Sequence, residues 1–285
     1  MNGVLVLDKP PGMSSAAAVD HVKRALGASR AGHGGTLDPI ATGVLAICLG
    51  EATKLAPYLL ADDKAYEALA VLGVATDTLD RTGAVTETRP YDHVTADAIE
   101  RALAGRRGEQ DQVPPMYSAV KRGGVPLYKH ARRGIEIERE PRRIRIDRLE
   151  LVRFEPPHVA LSIACSKGTY VRSLVADIGA DLGCGANLAQ LRRTQSGRFS
   201  IDTAQQLDAL DPTRILAMAD VLELPIVTIP EALVTTIRNG IQHPLERIGA
   251  PAGQQFQMFD EARGLLAIGH DEGGHVVYDR VFTGG

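Results

Sequence analysis

The chain has 285 residues, of which 44% are apolar and 24% charged, and a net charge of −3. That length can bury one large core or two smaller ones, and the composition is that of an ordinary globular protein. Cys48, Cys165 and Cys184 form no C-x-x-C pair, so the sequence supports neither a disulfide framework nor a zinc knuckle.

The total charge hides a segregation. Lys121 to Arg153 holds eleven basic and five acidic residues, Phe154 to Ser200 five and three, and Ile201 to the C-terminus five and twelve. A basic middle and an acidic tail carry more information than their average. By itself this pattern fits a solvated surface as well as a polyanion-binding one.

The apolar run Val4-Leu5-Val6-Leu7 is too short for a signal peptide or a membrane span and leads into Asp8-Lys9, so a cytoplasmic location is expected. Gly3 to Leu7 reads as a buried strand that ends at the Lys9-Pro10-Pro11-Gly12 turn. Ser14 or Ser15 can cap a helix whose apolar face includes Val19, Val22 and Leu26. A glycine-rich loop, Gly32 to Thr36, precedes a buried strand over Val44 to Leu49, and Ala52 to Leu60 reads as helical. Lys64 to Val74 alternates, with Tyr66, Ala68, Ala70, Leu72 and Val74 on one face.

Thr76 to Pro90 is turn-rich and acidic, and Thr95 to Leu103 is a short helix. Pro114 to Arg143 has the glycines, prolines and positive charge of an excursion from the main body. Arg143 to Phe154 alternates with a slip in phase that predicts a bulge near Asp147. Val159 to Ser166 alternates cleanly, and a helix follows with Val171, Leu174, Val175 and Ile178 at helical spacing. Pro225 and Pro230 flank a change in composition, beyond which a small β-rich domain is expected from about Ile226.

The stretch GHGGTLDPIATGVL, Gly32 to Leu45, invites several chemistries. It lacks the Lys-Ser/Thr of a phosphate loop, the spacing of a dinucleotide fingerprint, the ligand number of a metal site and the serine elbow of a hydrolase. What remains is a backbone open to close approach, and Asp38 held extended by Pro39. A plain glycine turn, with Asp38 bonding its own backbone, accounts for the same spacing.

In CSKGTYVRSLVADIG, Cys165 to Gly179, Arg172 falls in the first helical turn, where a cation opposes the helix dipole. A carboxylate opposite would explain it, either Asp38 or the neighbouring Asp177. Tyr66 and Tyr170 beside glycine loops can stack a nucleobase or simply pack. In LRRTQSGRFS, Arg192, Arg193 and Arg198 form a candidate phosphate-binding stripe.

Taken together, GVLVLDKPPGMSS, GHGGTLDPIATGVL, KAYEA, QVPPMYSAVKRGGVPLYKHARRG, CSKGTYVRSLVADIG and LRRTQSGRF resemble, in order, the TruB family of tRNA pseudouridine synthases. The resemblance implies an isomerase that turns the T-loop uridine of tRNA into the Ψ of TΨC, without cofactor or metal. It implies an α/β fold of α+β type, the pseudouridine synthase fold, around a mixed, mostly antiparallel sheet. The catalytic domain would span 1–225, with an RNA-gripping insertion at about 112–145, and a small PUA-like domain would span 226–285.

By the same resemblance Asp38 is the catalytic aspartate, Tyr66 the active-site tyrosine that stacks on the base, and Arg172 the arginine paired with Asp38. His33 fills the space left by the extruded base. Tyr170 and Leu191 line the uridine pocket, Gly34 allows close approach, and Lys9 with Pro10 buttresses the site. Lys129, Arg132, Arg133, Arg192 and Arg193 are expected at the RNA backbone. The expected partner is the T-arm stem-loop of tRNA, bound by a monomer with no membrane attachment. Two departures from the family pattern are Met-Ser-Ser-Ala after Gly12 and the acidic tail. A guide-RNA-dependent relative and a non-catalytic tRNA-binding or folding helper are the competing readings.

Overall fold

The computed structural model describes residues 1–282 except Ala119 and Arg132. In chain order the first half runs β1 (Gly3–Lys9), α1 (Ser15–Ala25), β2 (Ala31–His33), β3 (Thr42–Leu49), α2 (Ala56–Leu60), β4 (Lys64–Leu72), β5 (Val74–Thr76), β6 (Val85–Thr88), α3 (Ala96–Ala104) and β7 (Gly108–Gln112). The excursion carries β8 (Lys121–Arg122), β9 (Val125–Pro126) and α4 (Leu127–Ala131). Then come β10 (Arg142–Glu155), β11 (His158–Cys165), α5 (Val171–Asp181), β12 (Ala186–Ser196), β13 (Phe199–Ser200) and β14 (Gln205–Gln206). The last stretch holds β15 (Ile226–Thr228), α6 (Glu231–Arg238), α7 (Leu245–Ile248), β16 (Gln255–Phe259), β17 (Leu265–Glu272) and β18 (His275–Val281).

The central sheet has the order β14-β1-β3-β12-β4-β11-β10-β7. It is mixed and mostly antiparallel; β1 with β14 and β3 with β12 are its parallel pairs. The strand β12, late in the chain, lies between β3 and β4. That insertion brings residues about 150 positions apart into one site.

Strand alternation explains the apolar runs. Leu5, Leu7, Leu45 and Ile47 face a core built with Val19 and Val22 of α1, Ile99 and Leu103 of α3, and Leu174 and Ile178 of α5. Val4, Val6, Val44 and Ala46 point the other way, against Leu55, Phe259, Ile268 and Phe282. Both faces of β1 and β3 are therefore buried, and their sequences are apolar without a break. The C-terminal residues form their own sheet, β15-β16-β17-β18, over a third core that includes Leu233, Ile237, Phe256 and Ala267.

Local signals act as the sequence predicts at most ends. Ser14 caps α1 by accepting from the Ala17 amide at 3.1 Å, and Thr95 caps α3. The bulge expected near Asp147 falls between Ile146 and Arg148, with a second between Leu151 and Arg153. Two elements differ from expectation. The strand from Lys64 stops at Leu72 because Gly73 takes φ +84°, and Val74 pairs instead with Thr88. The helix expected over Ala52 to Leu60 divides into a 3-10 turn, Gly50–Leu55, and the short α2. The excursion itself leaves the sheet after Gln112 and rejoins it at Arg142.

Candidate active site

Asp38 stands on the loop between β2 and β3. That loop is pinned from the side. The Ser15 hydroxyl accepts from the Leu37 amide at 2.8 Å and donates to the Leu37 carbonyl at 3.0 Å. The Gly12 amide donates to the Pro39 carbonyl at 2.8 Å. Lys9, fully buried, donates its ammonium to the carbonyls of Pro10 and Met13, each at 2.8 Å. Both turns flanking Asp38 are thus tied to the Lys9–Ser15 segment.

Arg172 enters from the first turn of α5 and is 3% exposed. Its Nε lies 2.8 Å from Oδ2 of Asp38. The N–H is not aimed along that line, so the contact is an ion pair rather than an aligned hydrogen bond. Its other nitrogens are aligned: Nη1 donates to the Thr78 carbonyl at 2.9 Å and Nη2 to the Tyr117 carbonyl at 2.8 Å. Asp177, the competing partner, pairs with Arg106 instead. Two carbonyls and a carboxylate offset the unfavourable place of a cation at a helix N-terminus.

A second carboxylate stands behind the arginine. Asp80 is 5% exposed, and its Oδ2 lies 3.8 Å from Nη1 of Arg172. Its Oδ1 accepts from the Thr78 hydroxyl, the Thr82 amide and the Thr82 hydroxyl. The preceding Leu79 holds φ +62°, a strained conformation for a branched side chain. The stretch read as turn-rich and acidic therefore carries a fixed anion of the site.

The electrostatics pull in opposite directions. Burial raises the Asp38 pKa above its ordinary 3.8; Arg172 works against that rise, and Asp80 adds to it. Burial brings Lys9 down to about 8, with Asp38 opposing. The Tyr66 phenol is pushed up by burial, opposed by the charge of Arg193.

Asp38, Tyr66, Tyr170, Arg172 and Leu191 line one cavity of about 240 Å³. Tyr66 faces Arg193 across β4 and β12, and Leu191 faces Ala68. Burial lowers the pKa of His33, which stands on β2 with an Nδ1 that is buried and unpartnered among the described residues. Gly34 touches protein on its open side: a Cβ there would sit 2.7 Å from the Leu59 Cβ. Its missing side chain admits Leu59.

The arginine stripe read in LRRTQSGRFS does not form, because consecutive strand residues point to opposite faces. Arg193 is 2% exposed and lies under the cavity, with Nε donating to Val44 and Nη2 to Gly35. An arginine spent on internal carbonyls is not on a surface that meets an RNA backbone, which corrects its expected place. Arg192 makes a two-armed contact with Asp8 at 2.8 and 3.1 Å, and Arg198 donates to the Asp220 carbonyl. Lys129 on α4 and Arg133 just beyond it are exposed; Arg132 lies outside the described residues.

The sequence reading missed Ser15, Asp80 and Ser118, which reach the site from separate segments, and Lys64. Lys64 donates to the carbonyls of Leu60, at 3.1 Å, and Asp62, closing the end of α2 beside the cavity. Among the described residues no cluster of His, Cys, Asp and Glu could hold a metal ion, and no helix is long and apolar enough to cross a membrane.

The chain is similar to known proteins along most of its length. The family model described as "TruB family pseudouridylate synthase (N terminal domain)" matches residues 23–171, and "tRNA pseudouridylate synthase B C-terminal domain" matches 172–223. The tRNA pseudouridine synthase B of Aromatoleum aromaticum is 46% identical over 96% of this chain and 90% of its own. That of Vibrio cholerae is 43% identical over 100% of this chain and 97% of its own. Among solved structures, a chain of a Cbf5-Nop10-Gar1 complex aligns with a TM-score of 0.74 at 29% identity, over 98% of this chain and 84% of that one.

Proposed function

The chain belongs to the TruB family of pseudouridylate synthases, and from that premise we propose that it isomerises the T-loop uridine of tRNA to pseudouridine, acting as a monomer in the cytoplasm. The observation that carries this reading is the Asp38–Arg172 ion pair of 2.8 Å at a small cavity bounded by Tyr66 and Leu191. A uridine inside a folded loop is out of reach of Asp38, so it must first leave its stack, at a cost of a few kcal/mol. The cavity then takes the extruded base.

The reaction is an internal exchange. The bond from N1 to ribose C1′ breaks, the base turns in place, C5 joins C1′, the C5 proton departs and N1 takes up a proton, so the product is an isomer of the substrate. Asp38 acts as the ionised carboxylate, at C1′, at C6 or on a ribose proton. Arg172 holds it charged and aimed, against the burial that favours its neutral form. Tyr66 stacks on the base and takes part in removal of the C5 proton. Tyr170 and Leu191 confine the ring, and Lys9 fixes the loop that carries Asp38. His33 enters the space that the base leaves.

The remaining assignments follow the charge and the cores. Residues 1–225 form the catalytic domain and 226–285 a PUA-like domain, supported by the separate sheet and core of the C-terminal part. The excursion beyond Gln112 grips the T arm with Lys129, Arg132 and Arg133. Arg192 serves the RNA backbone only if it leaves Asp8.

The test is incubation of the purified protein with unmodified tRNA, followed by mapping of any pseudouridine. Modification at the T-loop uridine without a guide RNA is expected, which excludes the guide-dependent reading. Asp38→Ala is expected to abolish the product and keep tRNA binding, which excludes a purely non-catalytic helper. Wild-type turnover by Asp38→Ala would refute the role of that carboxylate.

A further inference from the structure

The last residue of β7 reaches across to the helix that carries Arg172. Gln112 is 5% exposed, at the end of an otherwise mostly exposed edge strand. Its backbone pairs with Arg142 of β10, where the excursion returns. Its side chain holds both backbone groups of Tyr170. Oε1 accepts from the Tyr170 amide at 2.8 Å, and Nε2 donates to the Tyr170 carbonyl at 3.1 Å.

Tyr170 is the N-cap of α5, with an extended backbone and no capping bond from its own side chain. The carbonyl that Gln112 holds also accepts from the Leu174 amide at 3.1 Å, the first bond of the helix. A helix start without a cap leaves backbone groups to find partners elsewhere. Here a glutamine 58 residues upstream supplies them. Arg172 is the second residue of that helix, and the Tyr117 carbonyl accepts from its Nη2 at 2.8 Å. Pro114 and Pro115, both buried, lie between Gln112 and Tyr117 and restrict the backbone there. One short segment therefore grips the backbone and the guanidinium of a single helical turn. The 2.8 Å contact of Arg172 with Asp38 is not an aligned hydrogen bond, so it depends on where that turn stands.

We propose that Gln112 is a positioning residue for the reaction: by fixing Tyr170 it sets the start of α5, and thereby the aim of Arg172 at Asp38. This rests on the proposed reaction. It adds a second duty for the root of the excursion. The segment that leads out to the RNA-binding charge also holds the counter-ion of the reacting carboxylate. The grip on RNA and the charge on Asp38 then share one anchor.

The experiment measures thermal melting, tRNA affinity and the single-turnover rate of pseudouridine formation against pH, for wild type, Gln112→Met and Gln112→Glu. Methionine keeps the reach of the side chain and loses both bonds; glutamate keeps the acceptor for the Tyr170 amide. Gln112→Met is expected to lower the rate at saturating tRNA about tenfold or more, the scale of a slightly misplaced reacting group, with affinity little changed. Gln112→Glu should recover part of that loss. The acid limb of Gln112→Met should move to higher pH, because a displaced Arg172 no longer opposes the burial of Asp38 as well. Asp80 and Lys9 also act on that carboxyl, and Tyr66 and Tyr170 feel its charge; all four stay in place. Added to Arg172→Lys, Gln112→Met should cost little further rate, since both changes act on one contact. If Gln112→Met does not fold, that coupling is read on Gln112→Glu.

Three results would overturn the inference. One is a Gln112→Met variant as fast as wild type at saturating tRNA, even with weaker binding, which would leave Gln112 to the grip alone. Another is a slower variant whose acid limb stays in place. The third is an undiminished loss when Arg172→Lys is already present. Failure of the wild type to make pseudouridine at all would instead refute the proposed reaction.

Discussion

The hydroxyl of Ser15 holds both backbone groups of Leu37 at once, accepting at 2.8 Å and donating at 3.0 Å, one residue before Asp38. Neither group of Leu37 has a neighbouring strand to satisfy it. Ser15→Ala would leave a buried N–H and C=O unpaired, so a loss of about 1–3 kcal/mol is expected in a denaturant melt. The catalytic rate should fall as well, because the loop before Asp38 is released. A variant as stable and as fast as wild type would show that the loop is held by its other ties.

Arg172 is used through its shape. It reaches Asp38, Thr78 and Tyr117 with three different nitrogens. Lysine keeps the charge and loses the fork. Arg172→Lys is therefore expected to cut the single-turnover rate by about 100-fold or more, the scale of losing a fixed electrostatic group, with tRNA affinity little changed. A drop below tenfold would mean that charge alone suffices.

The pH profile should report the Asp80–Asp38 repulsion. The native Asp38 pKa is raised from 3.8, so the folded protein holds that proton more tightly than the unfolded chain. The linked stability is full below the ordinary carboxylate range and is lost as pH rises through the raised value. Activity needs the ionised form, so its acid limb should lie above pH 3.8. Asp80→Asn removes a like charge and should move that limb to lower pH, while the plateau falls because Arg172 loses support. A limb that stays in place would separate Asp80 from the ionisation of Asp38.

At Gly34 the prediction is steric. A Cβ would meet Leu59 Cβ at 2.7 Å and Cδ1 at 3.0 Å. Gly34→Ala should cost about 1–3 kcal/mol by overpacking. Combined with Leu59→Gly, which removes the Cβ that the new methyl would strike, the loss should be smaller than the sum of the two single losses, since each change relieves the other. Additive losses in thermal melts would place the strain elsewhere.

Binding should draw on the basic excursion. Replacing Lys129, Arg132 and Arg133 with glutamine should weaken tRNA affinity and flatten the plot of its logarithm against salt. The slope should fall by about 0.9 for each duplex phosphate that the excursion no longer neutralises. The rate at saturating tRNA should change little. An unchanged slope would move the RNA-binding charge to another part of the chain.

Much of the fold is legible from local chemistry. Ser14 as a cap, the bulge near Asp147 and the alternation of Val159 to Cys165 follow from rules that act within a few residues. The Asp38–Arg172 pairing is legible for a different reason: a cation in the first turn of a helix asks for an anion. Asp80 is not legible, because its acceptor role depends on a strained turn folding back on Thr78 and Thr82. Arg193 misleads because three arginines within seven residues look like one surface until the strand separates them. Gln112 gives no signal, since a glutamine matters here only by which backbone it reaches, 58 residues away.

The position of β12 in the sheet has a consequence for synthesis. When the first 185 residues have left the ribosome, β3 and β4 are complete, but the strand that joins them is still to come. Each presents an unpaired edge, and β4 also carries one face that will close the core. The nascent chain must keep these edges apart from each other and from neighbouring chains until Ala186 to Ser196 arrives. Productive folding of this protein is therefore gated by its last third, and chains released early would be prone to edge-to-edge association.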